Sequence, residues 1–173
     1  FDIVALGIGL EEVCWMAGLQ ESIDGIMRQH EELRQRIRGL DGFLELERPA
    51  PGSAAAKIWA GKLSERLGKV RELLVVHFRE EETAGTMQEL AFKHPRAARS
   101  LNRMFTQHRH LLDQLRGLLG SAKVYSEGKE PQLLALRRGT RKLIEALEHH
   151  EEAESHLIQE LHIVDLGTAS SGG

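Results

Sequence analysis

Four histidines of this 173-residue chain stand where apolar residues would be expected, one in each of four amphipathic stretches. His30 follows Ile23 and Met27 at helical spacing, His77 follows Val70, Leu73 and Leu74, and His108 follows Leu101, Met104 and Phe105. His150 interrupts the run Leu143, Ala146, Leu147, His150, Glu154, Leu157, Ile158, Leu161. Two of the four carry a carboxylate one turn later, His77–Glu81 and His150–Glu154. Residues i and i+4 lie about 40° apart on one helix face, so each pair points the same way. Imidazole nitrogens and carboxylate oxygens on buried faces make a donor set for transition metals. Four imidazoles and two carboxylates suit two such ions bridged by the carboxylates, with positions left open. Bridging carboxylates also cancel charge between two cations in a dry core.

A lone histidine on an apolar face is usually a satisfied core residue. The metal reading therefore depends on the four meeting at one level. About 12 residues separate Glu81 from a break near 93, and about 12 separate residue 96 from His108. The arms to His108 and His150 across the next break are about 16 and 18 residues. Those to His30 and His77 are about 17 and 23. One layer can hold all four. Buried imidazoles stacked without a cation would compete for partners, which is costly. The other five of the nine histidines, His94, His110, His149, His156 and His162, fall at helix ends or off the stripe. His156–Glu160 repeats the spacing but reads as solvated, as do most of Glu80–Glu82 and Glu151–Glu152, with one inward member each.

Such a layer needs four long helices, and the punctuation of the chain supplies them. Arg48-Pro49-Ala50-Pro51-Gly52-Ser53, His94-Pro95 and Ser126-Glu127-Gly128-Lys129-Glu130-Pro131 are the breaks. Between them apolar residues recur three and four apart, and no stretch alternates with period two. The expected helices cover about 17–47, 54–93, 96–124 and 132–164. Short connections make neighbours antiparallel, so the expected fold is all-α, an up-down-up-down four-helix bundle over residues 17–164. Residues 1–16 are an extra N-terminal segment, either an amphipathic turn anchored by Trp15 and Met16 or a partner-binding element. Residues 165–173 read as a flexible tail.

Composition narrows the function classes. A net charge of −3 and a pI near 6.3 leave no electrostatic footprint for nucleic acid or an anionic membrane. The apolar stretch Phe1–Leu10 is far shorter than the roughly 20 residues a spanning helix needs. The single cysteine, Cys14, fits core packing better than redox chemistry and is consistent with a reducing, cytoplasmic setting. Glu-x-x-His, the ligand spacing of ferritin-like di-iron proteins, is absent, as is His-Glu-x-x-His. Phosphate-cradling glycine loops and the nucleophile elbow are absent too.

The segments QHEELRQRI around His30, HFREEE around His77, QHRHLLDQL around His108 and HHEEAE around His150 resemble the hemerythrin-like (HHE cation-binding) family over about residues 17–164. The resemblance implies a four-helix bundle enclosing two non-haem iron ions, bridged by carboxylates and by an oxo or hydroxo group. His30, His77, His108 and His150 would be terminal ligands and Glu81 and Glu154 bridges. Two departures stand out. Oxygen-carrying hemerythrins have two histidines one turn apart on the third helix, whereas Met104 and Leu112 flank His108 here. Their fourth helix carries His-x-x-x-x-Asp where this chain has His150-x-x-x-Glu154. Both point to the broader branch of sensors, iron-handling and redox proteins rather than to simple oxygen carriage.

The expected activity is therefore binding of, or reaction with, O2, peroxide or nitric oxide in a pocket walled by Met104, Leu111, Leu112 and Leu157. An alternative is an iron- or oxygen-sensing module whose metal state controls a protein partner, with the N-terminal segment in contact or self-association. A metal-free helical interaction bundle is the third reading.

Overall fold

The computed structural model describes the backbone of residues 10–83, 92, 95–128 and 132–169, and the side chains of 21, 24–83, 92, 98–128 and 132–160. Helix α1 spans Leu10–Leu46, α2 Ala54–Thr83, α3 Pro95–Ser126 and α4 Leu133–Ala169. No strand occurs among the described residues. Consecutive helices pack against each other and α4 closes on α1, which makes a four-helix bundle of up-down order. No helix among the described residues is long and apolar enough to cross a membrane.

The helix limits follow from local chemistry. Ser53 caps α2, its Oγ accepting the Ala56 N–H at 3.1 Å. Pro95 starts α3, where its missing N–H has no helical partner to lose. Gly52 and Gly128 adopt φ of 76° and 80° at the turns, a region that L side chains rarely enter. Two limits differ from expectation. α1 begins at Leu10, so residues 10–16 continue the first helix instead of forming a separate turn. α4 runs to Ala169, so residues 165–169 are helical rather than tail. No proline or glycine stands between Leu10 and Met16, and the one glycine in 165–169, Gly167, costs a helix about 1 kcal/mol, too little to end it. The side chains of Cys14, Trp15 and Met16, residues 1–9 and 170–173, and the expected helical extension over 84–91 lie outside the described residues.

A leucine-rich core fills the half of the bundle below the histidines. Leu33, Ile37, Leu40 and Leu44 of α1 meet Leu63, Leu67, Val70 and Leu74 of α2, with Leu111 and Leu115 of α3 and Leu143 and Leu147 of α4. At the far end Phe43 stacks on Trp59, with ring centroids 5.4 Å apart. The Arg137 guanidinium covers Trp59 and donates to the Glu47 and Leu44 carbonyls that end α1. The Tyr125 hydroxyl accepts the Gly52 N–H at 3.0 Å, tying the α1–α2 turn to α3. This apolar end fixes helix rotation and height, and hence what the polar layer above it can do.

Candidate metal centre

All six residues singled out from the sequence come together in one layer, and each is at most 2% exposed. They form two overlapping groups, His30, His77, Glu81 and Glu154, and Glu81, His108 and His150. Within each group one ligand atom per residue lies within 4.8 Å of all the others. Glu81 belongs to both. Its Oε1 is 2.9 Å from His77 Nε2 and its Oε2 3.2 Å from His108 Nε2. The imidazoles pair accordingly, His30 edge-on to His77 at 4.9 Å and His108 edge-on to His150 at 4.8 Å between centroids. Glu154 leans away from its own helix: its Oε2 is 3.0 Å from His30 Nε2 and 3.6 Å from His77 Nε2, against 3.9 Å from His150 Nε2.

The arrangement leaves inward atoms unsatisfied. His77 Nε2, His108 Nε2, His150 Nε2, both Glu81 oxygens and Glu154 Oε1 are buried without a hydrogen bond, although several are near one another. A buried polar atom without a partner costs about 1–3 kcal/mol, and native cores hold few of them. Six in one layer, all nitrogen or carboxylate oxygen, fit a cation as the missing partner. Phe78 lies flat on His108, with centroids 3.8 Å apart and planes 3° from parallel, and keeps the layer dry on the α2–α3 side.

One family model, the hemerythrin HHE cation binding domain, matches residues 21–162, most of the chain. The chain belongs to the hemerythrin family. No curated protein and no solved structure matches it.

Three of the imidazoles in this hemerythrin-family bundle are held from behind. His77 Nδ1 donates to Gln29 Oε1 at 2.9 Å, His108 Nδ1 to Glu82 Oε1 at 2.9 Å, and His150 Nδ1 to Gln107 Oε1 at 3.3 Å. An amide or carboxylate oxygen can only accept, so a proton sits on each Nδ1 and Nε2 is the ring nitrogen turned toward the layer. Sequence reasoning missed all three partners. Glu82 was read as solvated, yet it reaches across from α2 to α3. Glu151 is the inward member of its run, buried and ion-paired with Arg34 Nε at 2.9 Å, while Glu152 is exposed. His156 and Glu160 are exposed as expected, 3.9 Å apart. Met104, Leu111 and Leu157 are buried and Leu112 is half-buried.

Loss of such an outer partner commonly weakens metal affinity about 10–100-fold. Glu82→Ala and Gln29→Ala should therefore each lower metal affinity by about that factor without unfolding the bundle, because both side chains lie toward the surface. Competition with a chelator of known affinity measures it.

Electrostatics of the metal-free layer set its pH response. Burial alone would lower the His77 pKa, but the carboxylates of Glu154 and Glu81 outweigh it and push the imidazole up to about 10. Burial, and next the neighbouring His108, push His150 down to about 4. Burial raises Glu81; Glu154 is raised by burial too, but the His30 and His77 imidazoles hold it well below the usual carboxylate range. The signs differ. His77 and Glu81 bind protons more tightly folded than unfolded, so their contribution is lost as pH rises through the folded values. His150 and Glu154 bind protons less tightly folded, so theirs is lost as pH falls. Between about pH 6.5 and 4 the His150 contribution should fall by roughly 3 kcal/mol, opposed in the same window by Glu81, which takes up its proton more readily folded than unfolded. Denaturant titrations of the unaltered chain and of His150→Ala between about pH 4 and 7 isolate the His150 part, and identical acid limbs would contradict it.

Proposed function

We propose that the buried layer holds two non-haem iron ions bridged by carboxylates, and that the centre binds or reacts with O2, peroxide or nitric oxide. The observation that carries this reading is the convergence of unsatisfied imidazole nitrogens and carboxylate oxygens from four helices. His30, His77, Glu81 and Glu154 would hold one ion and Glu81, His108 and His150 the other, with Glu154, 3.9 Å from His150 Nε2, as the second carboxylate between them. The second group offers three donors against four, which leaves it more room for a small ligand. When bound, iron supplies electrons and an open position to such a ligand.

The chain's own groups do the rest. Gln29, Glu82 and Gln107 fix ring orientation, so that donor atoms need little rearrangement on loading. Glu81, shared by both groups, puts anionic charge where two cations would otherwise repel. Phe78, Leu111 and Leu147 exclude water beneath the layer, which strengthens every electrostatic interaction within it.

Elemental analysis with an optical spectrum of the same sample tests the reading. About two irons per chain, and a spectrum that changes on adding O2, peroxide or nitric oxide to the ferrous form, are expected. No stoichiometric metal after anaerobic reconstitution with ferrous iron would refute it.

A further inference from the structure

Three grooves on the bundle surface can be compared by what they reach. One between α1 and α2 is lined by charged side chains such as Arg36, Lys62 and Lys69 and touches none of the six layer residues. One between α1 and α4 stops at the Arg34–Glu151 ion pair and also touches none of them. The third, between α3 and α4, encloses about 400 Å³ and reaches Glu154. Glu154 is 1% exposed, and its Oε1 is one of the unsatisfied atoms of the layer. Met104 and Leu157, both nearly buried, also line this groove, and so does Gln107, whose amide oxygen holds His150.

We propose that the α3–α4 groove is the entrance through which a small uncharged molecule reaches the His/Glu layer, with Met104 and Leu157 as its inner walls and Ala153 and Ser100 at its mouth. The proposal rests on the function proposed above and adds the route and the charge selection. An anion entering here would meet a carboxylate at the floor. A hydrated cation would have to shed water against a thioether and a leucine. Neutral diatomics and hydrogen peroxide meet neither obstacle. Arg103 and Glu160 on the lining carry opposite charges and give the groove no attraction for either sign.

The test uses the full chain loaded with ferrous iron and nitric oxide as probe, in stopped-flow measurements. Ala153→Trp and Ser100→Trp each add bulk at the mouth from a different helix, so one can replace the other if a variant folds poorly. Each should slow association and dissociation of nitric oxide together, by about tenfold or more, with the equilibrium affinity and iron content unchanged. Ser155→Trp, which fills the α1–α4 groove instead, should leave both rates unchanged. A metal-free readout stands beside these. Xenon, a neutral apolar probe, should shift the Met104 methyl resonance, and Ala153→Trp should abolish that shift. Unchanged nitric oxide rates in both mouth variants with full iron content would overturn the route. Failure of the wild-type, fully loaded protein to take up O2, peroxide or nitric oxide would instead overturn the functional reading beneath it.

Discussion

Glu154→Ala should reduce bound iron from about two per chain to less than one. The reason is reach. The Glu154 carboxylate lies 3.0, 3.6 and 3.9 Å from the Nε2 atoms of His30, His77 and His150, so it touches imidazoles from three helices. Removing it also removes one of the two anions that offset positive charge in the four-donor group. Glu154→Gln keeps the volume but loses the charge and one oxygen, and it should lose metal nearly as badly. Glu160→Ala is the matching control. It belongs to the same four-residue spacing, His156–Glu160, but both side chains are exposed. Its iron content should equal that of the unaltered chain. Full two-metal occupancy in Glu154→Ala, measured by elemental analysis after dialysis, would refute the ligand assignment.

That comparison also shows why spacing alone is a weak signal. His150–Glu154 and His156–Glu160 are the same pattern, and only the apolar stripe separates them. The stripe was legible because helical periodicity makes a polar residue at a core position conspicuous: His30, His77, His108 and His150 each replace an expected leucine. Across the second and third breaks, the rise per residue and the break positions were enough to match their heights, whereas across the first the arms of about 17 and 23 residues agreed only loosely. The four-helix fold was legible for the same reason. Where the chain offered no proline-rich break, ahead of residue 17 and beyond 164, the helices run several residues further than expected.

What supports the imidazoles from behind was not legible. Gln29, Glu82 and Gln107 sit at the edges of helix faces, where polar residues are expected whether or not they touch anything. Their roles depend on how far each helix is rotated toward its neighbour, and that rotation is set by packing at the other end. Phe43 on Trp59, and Arg137 over Trp59 and on the last carbonyls of α1, are the contacts that lock it. The same holds for Glu154. Its sequence spacing pairs it with His150, but the packed helices turn it toward His30 and His77. Pairing within a helix can be counted along the chain; pairing between helices depends on the whole bundle.

Iron loading should raise the melting midpoint by about 10 °C, and the added stability should be local to one half of the molecule. A ligand at about 1,000 times its dissociation constant stabilises by roughly 4 kcal/mol, and in a domain of this size each kcal/mol shifts the midpoint about 2–4 °C. The locality follows from the two-part core. The lower half, from Leu40 and Leu63 to Trp59 and Tyr125, is apolar and well packed without metal. The upper layer carries buried Nε2 and carboxylate oxygen atoms without hydrogen bonds, and it is here that local opening should be easiest in metal-free protein. Amide hydrogen exchange should therefore slow on loading around residues 27–34, 74–83, 104–111 and 147–157, and change little near Trp59. If protection rose evenly along all four helices, the two halves would open as one unit, and the layer could not be the weak point of the fold. If the midpoint did not move, iron would be binding outside the layer, because a cation that satisfies six buried donors cannot leave stability unchanged.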